Sequence, residues 1–276
     1  MLKTTTLPLF ILTLLNITAC TQKVPRYELS IDTKPAGWQY LQIPTSDFEL
    51  VALLQEDGAV TDSTLRVVIE GDGLAWLSRT RPSLDPTPVT PTGLYIAQAS
   101  NAAYLARPCQ YQKVGNCSIE AWTKGRFSRQ VIANMNEALN TLKKKSGAES
   151  FELIGFSGGA AVAALVSDLR NDIKQITTFS GNLEPHWWTD YHNYSLLDVA
   201  ESPLEVLKSN KSVRQHHYFG TADTVIPVPL FKRFIANFSA EEHIEVTVVK
   251  GCDHQSCWAA LIENELKKRR SNTGLP

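Results

Sequence analysis

Residues 151–163, FELIGFSGGAAVA, constrain this chain more than any other stretch. A short apolar run leads into Gly155-Phe156-Ser157-Gly158-Gly159, and no Gly or Pro follows for over a dozen residues. The pattern predicts a strand, a sharp turn and a helix. A side chain at the tip of such a turn sits in strained backbone and needs small neighbours. Gly155 and Gly159 leave room, and Gly158 removes one more Cβ. The hydroxyl of Ser157 then projects above the sheet at the start of the helix, where partly positive N–H groups favour a developing oxyanion. A serine so placed is a candidate nucleophile, and the N–H of Gly158 is a candidate oxyanion donor.

The rest of the chain alternates around this turn. Two extended runs, 38–44 and 48–54, are split by Pro44 and Ser46-Asp47 and predict an antiparallel opening hairpin. A buried strand over 65–70 ends in Gly71-Asp72-Gly73. Residues 81–93, rich in Pro and Thr, predict a loop, and 102–106 the next strand. An amphipathic helix is predicted over about 128–145, with Ile132, Met135, Leu139 and Leu142 on one face. Strands follow at 175–180, 213–219 and 244–249, with a helix near 229–237 and a last helix over about 256–268. Strand and helix in alternation predict an α/β fold. Its central sheet is mostly parallel, with helices on both faces and the hairpin as an antiparallel N-terminal edge. Residues 181–212 lack clear periodicity and hold Trp187, Trp188, Tyr191 and Tyr194, a small cap segment within one domain spanning 37–276. These aromatics either line an apolar pocket or pack the cap onto the body.

Composition narrows the function classes. A formal net charge of -1 gives no electrostatic case for nucleic acid. The basic run Lys267-Lys268-Arg269-Arg270 reads as the solvated end of the last helix, where positive charge suits the macrodipole. No apolar run after residue 20 approaches the ~18 residues needed to span a bilayer. Before it, Lys3 and the apolar stretch 7–17 read as a targeting segment. Ile17-Thr18-Ala19-Cys20 resembles a bacterial lipobox, which implies a signal peptide over 1–19, acylation of Cys20 and a lipidated tether over 20–36. Thr21 after the cysteine then favours the periplasmic face of the outer membrane. A plain secretory signal with a coincidental cysteine is the alternative. Export in turn favours disulfides between the two close pairs, Cys109 with Cys117 and Cys252 with Cys257. A zinc site from the four thiols is the alternative, at a spacing unlike a zinc ribbon. No histidine pair has a spacing that suggests a metal, and no cofactor is expected.

Parallel sheets gather catalytic groups at the carboxyl ends of their strands. Beyond the strand to Phe219 lies Gly220-Thr221-Ala222-Asp223, and beyond Val249 lies Lys250-Gly251-Cys252-Asp253-His254. A serine hydroxyl becomes a useful nucleophile when an imidazole takes its proton. The imidazole needs a carboxylate on its other nitrogen. Ser157 is thus the candidate nucleophile, His254 the general base and then acid, and Asp223 the orienting acid. Asp253 is a rival acid, although a neighbour in sequence rarely points back at the right ring nitrogen; its other role is to cap the last helix. His216 and His217 alternate in a strand, so one is expected buried. His186, His192 and His243 read as surface residues.

With these residues in the order Ser, Asp, His, the chain resembles the α/β-hydrolase superfamily over nearly all of its mature length. It is similar, more narrowly, to exported bacterial α/β-hydrolases. The shared stretches are the Gly-Asp-Gly turn, residues 106–111, Trp122-Thr123 leading to Arg126-Phe127-Ser128, residues 180–183, and residues 223–227. The resemblance implies a second oxyanion donor in the turn after the 65–70 strand, the N–H of Asp72 or failing that Gly73. A carboxylate is uncomfortable beside a developing anion, so the Asp72 side chain is expected to turn away and bond its own loop. The function implied is a membrane-anchored serine hydrolase acting on an ester, thioester or amide of a small-molecule, acyl or peptidyl substrate. A serine peptidase and a catalytically silent envelope binding protein are the alternatives. The sequence is silent on oligomeric state.

Overall fold

The structure, a computed structural model, describes residues 25–55, 60–238 and 243–273. The targeting segment and Cys20 lie outside the described residues. The strands are β1 (Trp38–Pro44), β2 (Glu49–Gln55), β3 (Val60–Thr61), β4 (Thr64–Ile69), β5 (Ala103–Leu105), β6 (Ser150–Phe156), β7 (Ile173–Phe179), β8 (Arg214–Gly220) and β9 (Ile244–Val249). They form one nine-stranded sheet in the order β1-β2-β5-β4-β6-β7-β8-β9, with β3 paired to β4. From β5 through β9 along that path all neighbours run parallel, while β1, β2 and β5 pair antiparallel. The expected parallel sheet with an antiparallel N-terminal hairpin is therefore the observed one.

The helices are α1 (Thr92–Ser100), α2 (Ile119–Trp122), α3 (Arg129–Ser146), α4 (Gly158–Ser167), α5 (Pro185–His192), α6 (Pro203–Ser209), α7 (Val228–Ile235) and α8 (Trp258–Thr273). Two cores sandwich the sheet. On one face α3, α4, α6 and α7 cover Leu65, Val67, Phe151 and Leu153; on the other α1 and α8 cover Val68, Tyr104, Ile154 and Phe179. Every residue of α4 is buried, which is why its sequence is apolar all round instead of striped. The amphipathic α3 starts where Ser128 accepts the N–H of Val131, and it stops at Gly147 in the left-handed region. Among the described residues no helix is long and apolar enough to cross a membrane.

The structure departs from these expectations in one place and adds detail in two others. Residues 81–93 were expected to be loop throughout, but Thr92 and Gly93 open α1, a helix that local patterning does not predict. Its N–H groups at Gly93 and Leu94 are capped by the Glu70 carboxylate, a partner supplied from a distant strand. The described part of the span read as a tether, 20–36, docks on the body: Leu29 is buried, Arg26 Nη2 donates to Ser83 Oγ at 2.9 Å, and Tyr27 N donates to Pro88 O at 2.9 Å. Within 181–212 the aperiodic stretch holds two short helices, α5 and α6, both with Pro in the first turn.

The alternating histidines of β8 divide as expected. His217 is fully buried, with Nδ1 2.9 Å from Thr178 Oγ1 and Nε2 3.2 Å from Gln215 Oε1. Burial, aided by the neighbouring His216, pushes its pKa down to about 3, so the folded protein holds it neutral. The unfolded chain protonates it near the ordinary ~6.5. Its contribution is whole above that pH and is lost as the pH falls towards 3. The urea midpoint should therefore drop between about pH 7 and about pH 4.5, and drop less in His217→Gln. An equal pH dependence in both proteins would place the titrating group elsewhere.

Candidate active site

Ser157 is the one residue between β6 and α4, at φ 52° and ψ -119°. This backbone is costly for a residue with a Cβ, and the surrounding contacts hold it. Its N–H donates to Phe179 O at 3.0 Å, and its carbonyl accepts Ala160 N at 3.1 Å and Asn182 N at 3.0 Å. The turn is also wedged against the end of β4. A Cβ added at Gly159 would overlap the carbonyl oxygens of Ile69 and Glu70, and one at Gly158 would overlap Asp72 Oδ1.

His254 lies beyond β9 in a segment closed by the Cys252–Cys257 disulfide, with Cα atoms 5.8 Å apart. Gly251 N donates to Thr221 Oγ1 at 2.8 Å, Ala222 N to Cys252 O at 2.9 Å and Trp258 Nε1 to His254 O at 3.0 Å. The loop carrying the histidine is thereby tied to the loop carrying Asp223. The imidazole packs on Phe156, with ring centroids 5.2 Å apart. Its Nε2 lies 2.9 Å from Ser157 Oγ and its Nδ1 2.8 Å from Asp223 Oδ2. Asp253 takes no part: its Oδ1 accepts the N–H groups of Gln255 and Ser256, tightening the turn before α8 instead of capping the helix itself. The other cysteine pair, Cys109 with Cys117, is also bonded.

Asp223 is buried and every lone pair is directed. Oδ1 accepts Val225 N and Ile226 N, each at 2.8 Å, and Oδ2 accepts Ser180 Oγ at 2.6 Å beside the imidazole. Burial raises this carboxyl, but the hydrogen bonds and charge of His254, the Ser180 hydroxyl and the Ile226 N–H outweigh it and leave the pKa lowered. The carboxylate is held ionised against His254. Ser180 lies in the shared stretch 180–183, yet sequence alone assigned it no role.

The N–H of Gly158 opens α4 and has no intrahelical acceptor. Among the described residues the N–H of Asp72 has none either. The Asp72 side chain does not bond its own loop, as expected from sequence, but reaches two arginines from other segments. Oδ1 is 3.3 Å from Arg107 Nη1, and Oδ2 is 3.0 Å from Arg126 Nε. Arg107 Nη2 in turn donates to the carbonyl of Arg126. Two guanidiniums neutralise the carboxylate where it is pressed against Gly158, which removes the electrostatic objection to Asp72 in this turn. Burial lowers the Arg107 pKa to about 10 against the pull of Asp72, so it stays charged at neutral pH.

Glu70, at the end of β4, is 1 % exposed. Its carboxyl accepts Gly71 N at 2.9 Å, Gly93 N at 3.0 Å, Leu94 N at 3.3 Å and Tyr104 Oη at 3.1 Å. Burial raises its pKa against these four donors. It thus fixes the turn that presents Asp72 to Ser157 and joins it to α1. A cavity of about 860 Å³ opens above Ser157 and His254. Trp188 and Tyr194 line it and Trp187 packs under Arg233 at 3.9 Å, whereas Tyr191 is exposed and takes neither expected role. His192 is half-buried, not a surface residue, and its Nε2 lies 3.0 Å from Val225 O. His186 is exposed, as expected; His243 is half-buried at the start of β9. No group of metal-binding side chains occurs among the described residues.

The sequence matches no protein-family model and no curated protein. Solved structures match over most of its length. An α/β serine hydrolase homologue from Coxiella burnetii aligns at 15% identity and a TM-score of 0.55, over 84% of this chain and 96% of its own. An α/β serine hydrolase without a lid from Xanthomonas campestris aligns at 11% identity and 0.55, over 87% and 96%. An esterase from Pyrococcus furiosus aligns at 16% identity and 0.54, over 86% and 88%. The chain has the α/β-hydrolase fold.

The ion cluster gives a measurable expectation. Asp72→Ala leaves Arg107 and Arg126 buried without their carboxylate and should cost about 3 kcal/mol in urea unfolding. A loss under about 1 kcal/mol would mean that water already screens both guanidiniums.

Proposed function

We propose that this protein is a serine hydrolase that cleaves a carboxylic ester, or a related thioester or amide, through an acyl-enzyme. The observation that carries the reading is the continuous path from Asp223 Oδ2 to His254 Nδ1 and from His254 Nε2 to Ser157 Oγ, at 2.8 and 2.9 Å. Ser157 Oγ attacks the carbonyl carbon as its proton passes to His254 Nε2, and the imidazolium is stabilised by Asp223. The carbonyl oxygen becomes an oxyanion between the N–H groups of Gly158 and Asp72. Collapse breaks the bond to the leaving group, which takes the proton from His254. Water, deprotonated by the same imidazole, then releases the acid and restores Ser157.

The esterase among the structural neighbours favours an ester as the bond cleaved. In this reading residues 37–276 are one catalytic domain with 181–212 as its cap, and Cys20 carries the lipid that holds the enzyme on the periplasmic face of the outer membrane. The two disulfides fit an exported protein. Ser180 serves as a positioning residue by holding Asp223.

An uncharged fluorophosphonate should label the folded, oxidised protein at Ser157, and Ser157→Ala should abolish labelling. His254→Ala should lower kcat/KM for 4-nitrophenyl esters by about a thousandfold or more with the unfolding midpoint retained. Absence of labelling on folded protein would favour a binding protein on the same fold. For the anchor, metabolic labelling with a palmitate analogue should be lost in Cys20→Ser; labelling that persists would overturn it.

A further inference from the structure

The cavity above Ser157 carries a charge pattern that the hydrolytic steps do not use. Its wall holds three cations, Arg79, Lys124 and Arg126, and two carboxylates, Glu70 and Asp72. Both carboxylates are committed, Glu70 to its four donors and Asp72 to the two arginines. The three cations outnumber them, and only part of their donor capacity is taken: Arg126 meets Asp72 through Nε, and Arg79 gives one N–H to Asn193 O. Arg126 is only 4 % exposed, yet Nε, 3.0 Å from Asp72 Oδ2, lacks the alignment of a hydrogen bond. Among the described residues Nε is thus a buried donor without a hydrogen-bond acceptor. A guanidinium offers five donors in a planar fork, and a buried donor left unmet is costly. Its plane is held over Trp188 at 5.4 Å and Phe127 at 5.5 Å, so the fork does not swing freely. Two residues earlier Lys124 is exposed, with no acceptor among the described residues. Arg79 comes from another part of the wall, with Nη2 2.9 Å from Asn193 O and the guanidinium over Tyr194.

We infer that the substrate carries an anionic group, a carboxylate or phosphate, close to the bond that is cleaved, and that Arg126 receives it with Lys124 and Arg79 beside it. The inference rests on the hydrolase reading and names its substrate class. The physics is that of a matched fork: a carboxylate or phosphate oxygen pair accepts two parallel N–H bonds from one guanidinium, a geometry that an ammonium does not offer. The same field disfavours a substrate with a free amino group beside the scissile bond, as an aminopeptidase requires.

The test compares three 4-nitrophenyl esters on the mature protein: hemiglutarate, 4-phosphonobutanoate and the uncharged valerate of matched length. At low salt kcat/KM should be about tenfold higher for an anionic ester than for valerate. The arm that gains more tells a carboxylate site from a phosphate site. That ratio should fall at least about threefold in Lys124→Gln, and further in Arg126→Lys, which keeps the charge beside Asp72 but loses the fork. Raising the salt should lower the ratio as well. A ratio near one in the parent protein, or one unmoved by both variants, would overturn the inference while Ser157 labelling by the uncharged fluorophosphonate stays intact. Loss of that labelling on folded protein would overturn the hydrolase reading and this inference together.

Discussion

Two chain turns meet so closely in this protein that the one opening α4 has no room for a side chain at either of its first two residues. The turn between β6 and α4 puts Gly158 and Gly159 against the last carbonyls of β4 and the side chain of Asp72. That approach holds Ser157 at a positive φ, because the serine backbone is hydrogen-bonded on three sides and has no room to relax. It also brings the turn after β4 against Gly158, the first residue of α4. The parallel register of β4, β6 and β7 makes this possible by ending the strands at one rim.

Two carboxylates at that rim are treated in opposite ways. Asp223 keeps its charge through four directed donors, one of which is the imidazole it orients. Asp72 instead makes ion contacts with two arginines that exceed it in charge. Around the first, negative charge faces the histidine; around the second, a surplus of positive charge faces the cavity. Ser157 sits between these fields. Both are fixed by backbone and buried side chains, so under the proposed mechanism they need little rearrangement as charge moves in the transition state.

Much of this was legible in the sequence because it depends on local grammar. The elbow needs small residues around Ser157, strands read as apolar runs, and groups placed just past strand ends fall at the sheet's rim. The positions of Ser157, Asp223 and His254 follow from those rules, and the structure brings the three together. What was not legible depends on partners remote in sequence. Helix α1 has its first turn capped by Glu70, so residues 92–100 carry no N-cap signal of their own. The neutralisation of Asp72 depends on Arg107 and Arg126, whose convergence no local pattern encodes. Both lie in stretches on which the sequence resemblance rests, so the signal was present without its meaning. The docking of Arg26 and Tyr27 on residues 83–88 is hidden for the same reason.

The crowding of Gly158 against Asp72 has a consequence for how such proteins diverge. A methyl at position 158 displaces the carboxylate, and a displaced carboxylate strands two interior cations. Single exchanges at 72, 107, 126 or 158 are each penalised by the other three. Descent should therefore pass these four positions on as a block, replaced together or not at all.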